Sequence, residues 1–144
     1  MGTRSIRHII EAVVSGYLST QTGLTTVQFL TGDSAVTQTL PKAIVVCDSA
    51  SAPPDLPEGL GNYSCSVRIT LFSNADDTTL AQHRERCAAL AGNMRDLSAI
   101  QAAFVSDGDA ACYDVSIRSE DEGVDERSWA TAFSFDILVV LPPA

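Results

Sequence analysis

The feature that most constrains the fold is period-two alternation in two stretches of the sequence. In NYSCSVRITLFS, residues 62–73, apolar and aromatic side chains alternate with polar ones. RSWATAFSFDILVVL, residues 127–141, alternates in the same way until residues 138–141, which are all apolar. Because successive side chains of a β-strand point to opposite faces, this pattern indicates strands with one buried face. Pro142 and Pro143 end the second stretch, since proline cannot continue a ladder.

Three further segments are predicted to be strands, which makes about five in all. Residues 25–30 are rich in β-branched and aromatic types, and residues 41–49 form a short apolar run bounded by proline and polar residues. Residues 112–120 form the strand that precedes the last alternating stretch.

Two main helices are predicted from apolar residues that recur at steps of three and four. The first covers about residues 5–18, with Thr3 or Ser5 as its N-cap, and the second covers residues 75–97. One of three acidic or hydroxyl residues at the start of the second helix is its expected cap: Asp76, Asp77 or Thr78. Residues 98–104 fit a further short turn of helix.

The resulting element order, α-β-β-β-α-β-β, predicts an α+β fold. We expect one mostly antiparallel β-sheet of about five strands with two main helices packed on one face. The sequence lacks the long alternation of strands and crossover helices that a doubly wound parallel sheet needs. The length of 144 residues suggests a single domain, 1–144. A domain of this size buries roughly 70% of its unfolded surface.

The charge balance argues against binding of nucleic acid. The net charge is −9 at pH 7, and the bases are eight arginines and one lysine, Lys42. Duplex binding normally needs clustered bases that make several phosphate contacts. No run of 18 apolar residues occurs, so we expect no membrane span. His8 and Glu11 interrupt the N-terminal region, which we expect to be a folded helix and not a signal peptide.

An acidic segment lies between the last two strands. SEDEGVDERSW, residues 119–129, contains five carboxylates: Glu120, Asp121, Glu122, Asp125 and Glu126. The residues around Gly123 do not match an EF-hand loop, and catalytic carboxylates need a cleft that perturbs their pKa values. We therefore expect 119–127 to be a solvated hairpin connection that can also present a charged surface.

The other chemistry-bearing residues form no catalytic constellation. Gly32-Asp33-Ser34 resembles the opening block of GDSL-type esterases, but no histidine after His83 can act as the base of that family. His83 and Cys87 share a helix face, yet two ligands make no closed zinc site. We expect a core-edge histidine above a buried cysteine, with no metal, no cofactor and no enzymatic activity.

Cysteines and aromatic residues are expected to belong to the core. The cysteines include no C-x-x-C pair, so we expect reduced, buried thiols. They are Cys47, Cys65, Cys87 and Cys112. Trp129, Phe133 and Phe135 alternate along one strand with only Arg127 beside them. This favours a packed core over a platform that stacks on nucleic acid.

The layout as a whole resembles a family of phage proteins. An amphipathic helix precedes PKAIVV (41–46), and a Pro-rich excursion leads to YSCSVRITLF (63–72). A mid-chain helix contains His83, and the chain closes with DERSWATAFSFDILVV (125–140). This arrangement is similar to the tail terminator proteins of long-tailed bacteriophages and to related small neck proteins at head–tail joints. The similarity covers about residues 5–141.

The resemblance implies a structural protein of the virion, with no enzymatic activity, no cofactor and no membrane. Terminators of this kind form a ring, typically a hexamer, on the head-proximal end of the tail tube. They stop tube growth and join the tail to the head connector. The implied partners are further copies of the chain, the tail tube protein and the head connector or stopper protein, while DNA passes without specific binding. Such proteins are made in the bacterial host cytoplasm.

Two regions are candidates for lumen or interface surfaces. Carboxylates at 120–126 that face the lumen would repel phosphate and let DNA slide. The Pro-rich loop at 50–61 is the other candidate, because loops on a rigid sheet often make contacts. Prolines also lower the entropy cost of ordering such a loop when it docks on a partner. Its candidate residues are Pro53, Pro54, Leu56 and Pro57. Another neck component, such as a head-completion stopper or minor tail protein, is an alternative, and a small hydrolase with an unrecognised site is a distant one.

Overall fold

The fold is seen in a computed structural model that describes residues 4–31, 40–51, 61–125 and 127–141, without the Asp125 side chain. The elements in chain order are α1 (Ile6–Ser19), β1 (Gln28–Thr31), β2 (Lys42–Ser51), β3 (Asn62–Asn74), α2 (Leu80–Met94), α3 (Leu97–Asp107), β4 (Ala111–Asp125) and β5 (Ser128–Val140). The predicted α+β class is confirmed. None of the helices in these ranges is long and apolar enough to cross a membrane.

All five strands form one sheet in the order β1-β2-β3-β5-β4. β1 runs parallel to β2, whereas the other three neighbouring pairs are antiparallel, so the mostly antiparallel sheet is confirmed. The two strands with the clearest alternation, β3 and β5, lie next to each other from Asn62↔Val140 to Asn74↔Ser128. β1 and β4 are the two edge strands.

One face of the sheet is covered by the helices, and its residues occupy the odd-numbered positions of the central strands. They are fully or almost fully buried and include Val67, Ile69, Leu71, Phe133, Phe135 and Ile137. These side chains join the buried residues of the three helices in a single core. The core interpretation of Phe133 and Phe135 is therefore confirmed. We call this surface the helix-covered face and the opposite surface the open face.

The first two helices begin at residues whose side chains cap them. Ser5 caps α1 by accepting a hydrogen bond from the backbone N–H of His8 at 3.2 Å, which confirms one of the two predicted caps. α2 begins later than predicted, because Thr79 forms a reciprocal capping box with Gln82. This box satisfies two backbone donors. The predicted caps of the second helix were therefore wrong.

The length of a third helix was underestimated from the sequence. Residues 98–104, predicted to form a short turn of helix, belong to the longer helix α3, which Asp96 caps at its start. Gly108 ends it with a φ of +89°, a left-handed conformation that favours glycine. Gly61 also has a positive φ of +71°, and a Cβ there would collide with the Leu141 carbonyl. The backbone N–H of Leu141 donates to the Gly61 carbonyl at 2.8 Å, so the close approach belongs to the sheet.

Candidate interaction surface

The acidic segment is part of a strand. β4 extends to Asp125 and β5 begins at Ser128, so the prediction of a hairpin connection over 119–127 was wrong in its extent. The two strands are antiparallel neighbours, as a hairpin requires. Pairing with β5 outweighs the low strand propensity of the acidic residues. The side chain of Asp125 and all of Glu126 lie outside the described part of the chain.

Strand pairing divides the acidic side chains between the two faces of the sheet. Glu122 lies opposite the buried Thr131, so Glu122 projects on the helix-covered side, as does Glu120 two positions earlier. Asp121 lies opposite Ala132 and projects on the open face. The described carboxylates therefore do not form one cluster.

Arg84 of α2 holds Glu122 through two charge-assisted hydrogen bonds. Nε donates to Oε1 at 2.9 Å and Nη2 donates to Oε2 at 2.7 Å. The pairing lowers the pKa of Glu122 and raises the pKa of Arg84. Both side chains are partly exposed to solvent. Solvent screens such a pair, so it orients α2 over β4 and contributes little to stability.

An open cleft of about 480 Å³ lies between α2 and the acidic part of β4. Small apolar and thiol side chains alternate with charged ones around it: Arg84, Cys87, Ala88, Ala91, Arg95, Glu120 and Glu122. Burial raises the pKa of the Cys87 thiol, so it is neutral at neutral pH and a weak nucleophile. The cleft is therefore suited to contact with a polar or charged side chain.

His83 lies fully buried beneath this cleft. Its Nδ1 is 2.8 Å from the Ser73 hydroxyl, its Nε2 is 2.9 Å from the Thr131 hydroxyl, and the Cys87 sulfur lies 3.5 Å from Nε2. Arg86 donates a further hydrogen bond to Ser73 at 2.9 Å. Burial lowers the pKa of His83, which favours the neutral ring.

The buried network around His83 suits a structural role. Ser73, His83 and Thr131 have no exposed surface, so no substrate reaches the pair of serine and histidine without a rearrangement. The predicted contact between this histidine and a buried cysteine is confirmed, although the histidine lies deeper than the core edge. The hydroxyl partners come from β3 and β5, and sequence spacing alone did not reveal them.

All four cysteines are free and buried, as predicted. Burial raises the pKa of Cys112 to about 11, so this thiol is neutral at neutral pH. Among the histidine, cysteine, aspartate and glutamate residues that the structure describes, no group of three or more could hold a metal ion.

Several predicted site residues cannot be placed. Gly32, Asp33 and Ser34 lie outside the described residues. The candidate contact residues of the Pro-rich loop also lie outside them: Pro53, Pro54, Leu56 and Pro57.

Exposed apolar side chains form a feature that the sequence analysis missed. The large apolar residues with the most exposure in the described chain all lie on β4 or on α3: Val105 at 75%, Tyr113 at 53%, Ile117 at 42% and Val124 at 63%. α3 packs directly against β4. The sequence predicts a strand over residues 112–120 but does not reveal that this strand is an edge of the sheet, where no described strand covers these side chains.

The fold is shared with a protein of a gene transfer agent virion. Among solved structures, a chain titled "Virion of native gene transfer agent (GTA) particle" matches with a TM-score of 0.63 and 10% sequence identity. The alignment covers 91% of this chain and 94% of that chain. No protein-family model and no curated protein sequence matches the chain. At this identity the likeness establishes a common fold.

Proposed function

We propose that this chain is a structural protein of a phage-type virion and acts as a tail terminator. In this role it forms a ring, with six copies as the expected number, on the head-proximal end of the tail tube. The ring stops tube growth and joins the tail to the head connector. The observation that carries the proposal is the fold shared with a gene transfer agent virion chain over nearly the full length of both chains.

Two other observations support a structural role over catalysis. Among the described residues, the contact between a serine hydroxyl and a histidine ring, that of Ser73 with His83, is fully buried. At the open cleft, Arg84 and Glu122 pair with each other. The thiol of Cys87, which also lines the cleft, is kept neutral by burial and is a weak nucleophile. An incubation with ester and phosphoester substrates is expected to give no turnover, and turnover that Ser73→Ala abolishes would contradict the structural role.

The net charge of −9 suits a ring through which DNA passes. Carboxylates on the lumen side repel phosphate and keep DNA mobile. Asp121 lies on the open face, whereas Glu120 and Glu122 lie on the helix-covered side. These three carboxylates therefore cannot all face the same lumen. The Pro-rich loop stays a proposed contact with the tube or connector, and deletion of residues 52–58 tests it through assembly of complete particles.

The deciding experiment is to produce particles without this protein and to examine them by electron microscopy. Loss of a terminator is expected to give tubes of uncontrolled length that are not joined to heads. Tails of normal length that stay unjoined would favour the alternative of a head-completion stopper or another neck component. Normal infectious particles would contradict a required structural role. A plasmid copy of the gene serves as the control and must restore normal tails.

A further inference from the structure

The edge strand β4 offers a surface that the fold itself leaves open. β4 spans Ala111–Asp125, and among the strands that the structure describes it has one neighbour, β5. An edge strand presents backbone N–H and C=O groups to which another strand can add. Which groups these are follows from the register of the neighbouring ladder.

Two hydrogen bonds determine the orientation of the β5 backbone. The N–H of Ala75 donates to the carbonyl of Arg127 at 2.7 Å, and the N–H of Leu141 donates to the carbonyl of Gly61 at 2.8 Å. Both continue the register of β3 with β5, in which odd-numbered residues face each other. Backbone groups alternate in direction along an antiparallel strand. The odd positions of β5 therefore bond to β3, and the even positions bond to β4.

The same alternation assigns the backbone groups of β4. Asp121 lies opposite Ala132, an even position, so its backbone groups point inward to β5. Ile117, Glu120, Glu122 and Val124 lie opposite odd positions, so their N–H and C=O groups point away from the sheet. Cys112 also lies opposite an odd position, and its carbonyl indeed accepts a hydrogen bond from Gln101 of α3 at 3.2 Å. This contact independently supports the assignment.

The outer edge of β4 between Ile117 and Val124 presents outward-pointing backbone N–H and C=O groups together with exposed apolar side chains. Ile117 is 42% exposed and Val124 is 63% exposed. An exposed edge with large apolar residues is a site for strand addition unless something covers it.

Charge argues against pairing of β4 with another β4. Antiparallel self-pairing would place the acidic part of one strand against a strand that itself contains Asp114, Glu120, Asp121 and Glu122, with Arg118 as its one base. Like charges opposite each other destabilise a strand pair. β1, in contrast, contains no charged residue, so it brings no like charge against the acidic part of β4.

Strand direction also favours β1 as the partner. β1 and β2 run together, β3 runs opposite to them, β5 reverses again, and β4 is antiparallel to β5. β4 is therefore antiparallel to β1 of its own sheet. Copies related by rotation about an axis along the strands keep this direction, so β4 of one copy meets β1 of the next in antiparallel orientation.

We propose that the outer edge of β4 from Ile117 to Val124 is a docking strand for a second copy of this chain, which adds its β1 edge there. The contact is head-to-tail, and repeated head-to-tail contacts form a ring when the rotation between copies closes. The proposal rests on the ring of the proposed function and names the surface through which that ring forms.

A proline on the outer edge tests the proposal. In Glu120→Pro the lost N–H points outward, so the ladder with β5 keeps its hydrogen bonds, whereas an added strand loses a donor and meets the proline ring. Glu120→Gln is the matched control, since it removes the charge and keeps the N–H. Light scattering over about a hundredfold range of concentration gives the mass of each variant.

The expected result is concentration-dependent association of the wild-type chain and of Glu120→Gln, with association of Glu120→Pro weakened by at least about tenfold. Circular dichroism is expected to be the same for all three. Equal association of Glu120→Pro and wild type would overturn the proposal. A wild-type chain that stays monomeric throughout the range would also overturn it.

Amide hydrogen exchange on the wild-type chain gives a measurement without any substitution. Association is expected to slow exchange at those of the four outward amides, Ile117, Glu120, Glu122 and Val124, that lie opposite the four residues of β1. Asp121, already bonded to β5, is expected to change little. Unchanged exchange at the four outward amides of an associating chain would place the contact elsewhere and overturn the proposal. A monomeric chain found in intact particles overturns the docking strand alone, whereas an associating chain absent from particles contradicts the proposed function.

Discussion

Two consecutive residues of α2 make polar contacts with consecutive strands of the sheet, one contact buried and the other exposed. His83 bonds to Thr131 of β5, and Arg84 bonds to Glu122 of β4. Thr131 and Glu122 are themselves partners in the strand register. His83 and Thr131 have no exposed surface, whereas the Arg84 and Glu122 side chains are 61% and 35% exposed.

The difference shows that burial, more than charge, decides what a polar contact contributes. A buried group that loses its partner keeps the full cost of its desolvation. An exposed ion pair that loses a partner regains water. We therefore expect the neutral contact of His83 to matter more for stability than the ion pair of Arg84, although the ion pair has two short hydrogen bonds.

The largest expected effect is that of His83→Ala. The substitution leaves a cavity, removes the ring partner of Thr131 and removes one of the two partners of Ser73. We therefore expect a loss of about 3 kcal/mol in the free energy of unfolding. Urea denaturation followed by circular dichroism measures it. Glu85→Ala, at an exposed position of the same helix, is the matched control and is expected to change little. A loss for His83→Ala no larger than that of the control would contradict the structural role.

Thr131→Val is expected to have the next largest effect. Valine keeps the shape of threonine but leaves Nε2 of His83 without its hydroxyl partner. We expect a loss of about 1–2 kcal/mol. Thr70→Val makes the same change on the open face, where the side chain is half-buried, and is the control. If both variants lose the same amount, the hydrogen bond of Thr131 contributes nothing beyond that of an ordinary sheet position.

The pH dependence of stability tests His83 without changing the core. Burial lowers its pKa below the ordinary 6.5, so the unfolded chain takes up a proton first as the pH falls. Stability is therefore fully present above about pH 6.5 and declines from there towards the folded pKa. One group can cost at most about 1.4 kcal/mol per pH unit, which limits the loss at about pH 5.5.

The measurement compares urea denaturation at about pH 7.5 and pH 5.5 in a His8→Gln background, so that His83 is the one histidine left. His83→Gln in that background is the control and is expected to lose the decline over this range. The nearby charges act in both directions, since Glu122 raises the pKa of His83 while Arg86 and Arg84 lower it. An identical decline in both variants would assign it to carboxylates instead.

The sequence was most informative where one periodicity dominates. Alternation predicted β3 and β5, and their odd-numbered residues are the buried ones. Ser5 was a correct cap for α1 because capping acts within one turn. β4 was cut short because strand propensity is weak in an acidic segment, and pairing with β5 is a long-range effect.

The candidate surface was less predictable than the fold. The acidic residues were found from composition, but their division between two faces depends on register with β5. Ser73 and Thr131 look like ordinary strand residues in the sequence, and their common partner, His83, lies 10 and 48 positions away from them. Exposure of Ile117 and Val124 depends on β4 being an edge, which is a property of the whole sheet.

The smallest expected effect is that of the exposed pair. We expect Arg84→Ala and Glu122→Ala each to change the urea midpoint less than Thr131→Val does, because water replaces the lost partner. The double variant measures the coupling between them, which is expected to shrink further as salt is added. A coupling as large as the effect of Thr131→Val would contradict the view that burial decides.

The pH dependence distinguishes this pair from His83 in a second way. Arg84 lowers the pKa of Glu122 below its ordinary 4.5, so its small contribution is present above that pH and is lost as the pH falls through the folded pKa. The decline caused by His83 begins about two pH units higher. Arg84 is the smallest of the influences on the pKa of His83, so Arg84→Ala is expected to leave the decline near pH 6.5 largely in place and to alter stability mainly in the more acidic range. An effect of Arg84→Ala that is confined to the range near pH 6.5 would mean that Arg84 acts on stability through His83 and not through Glu122.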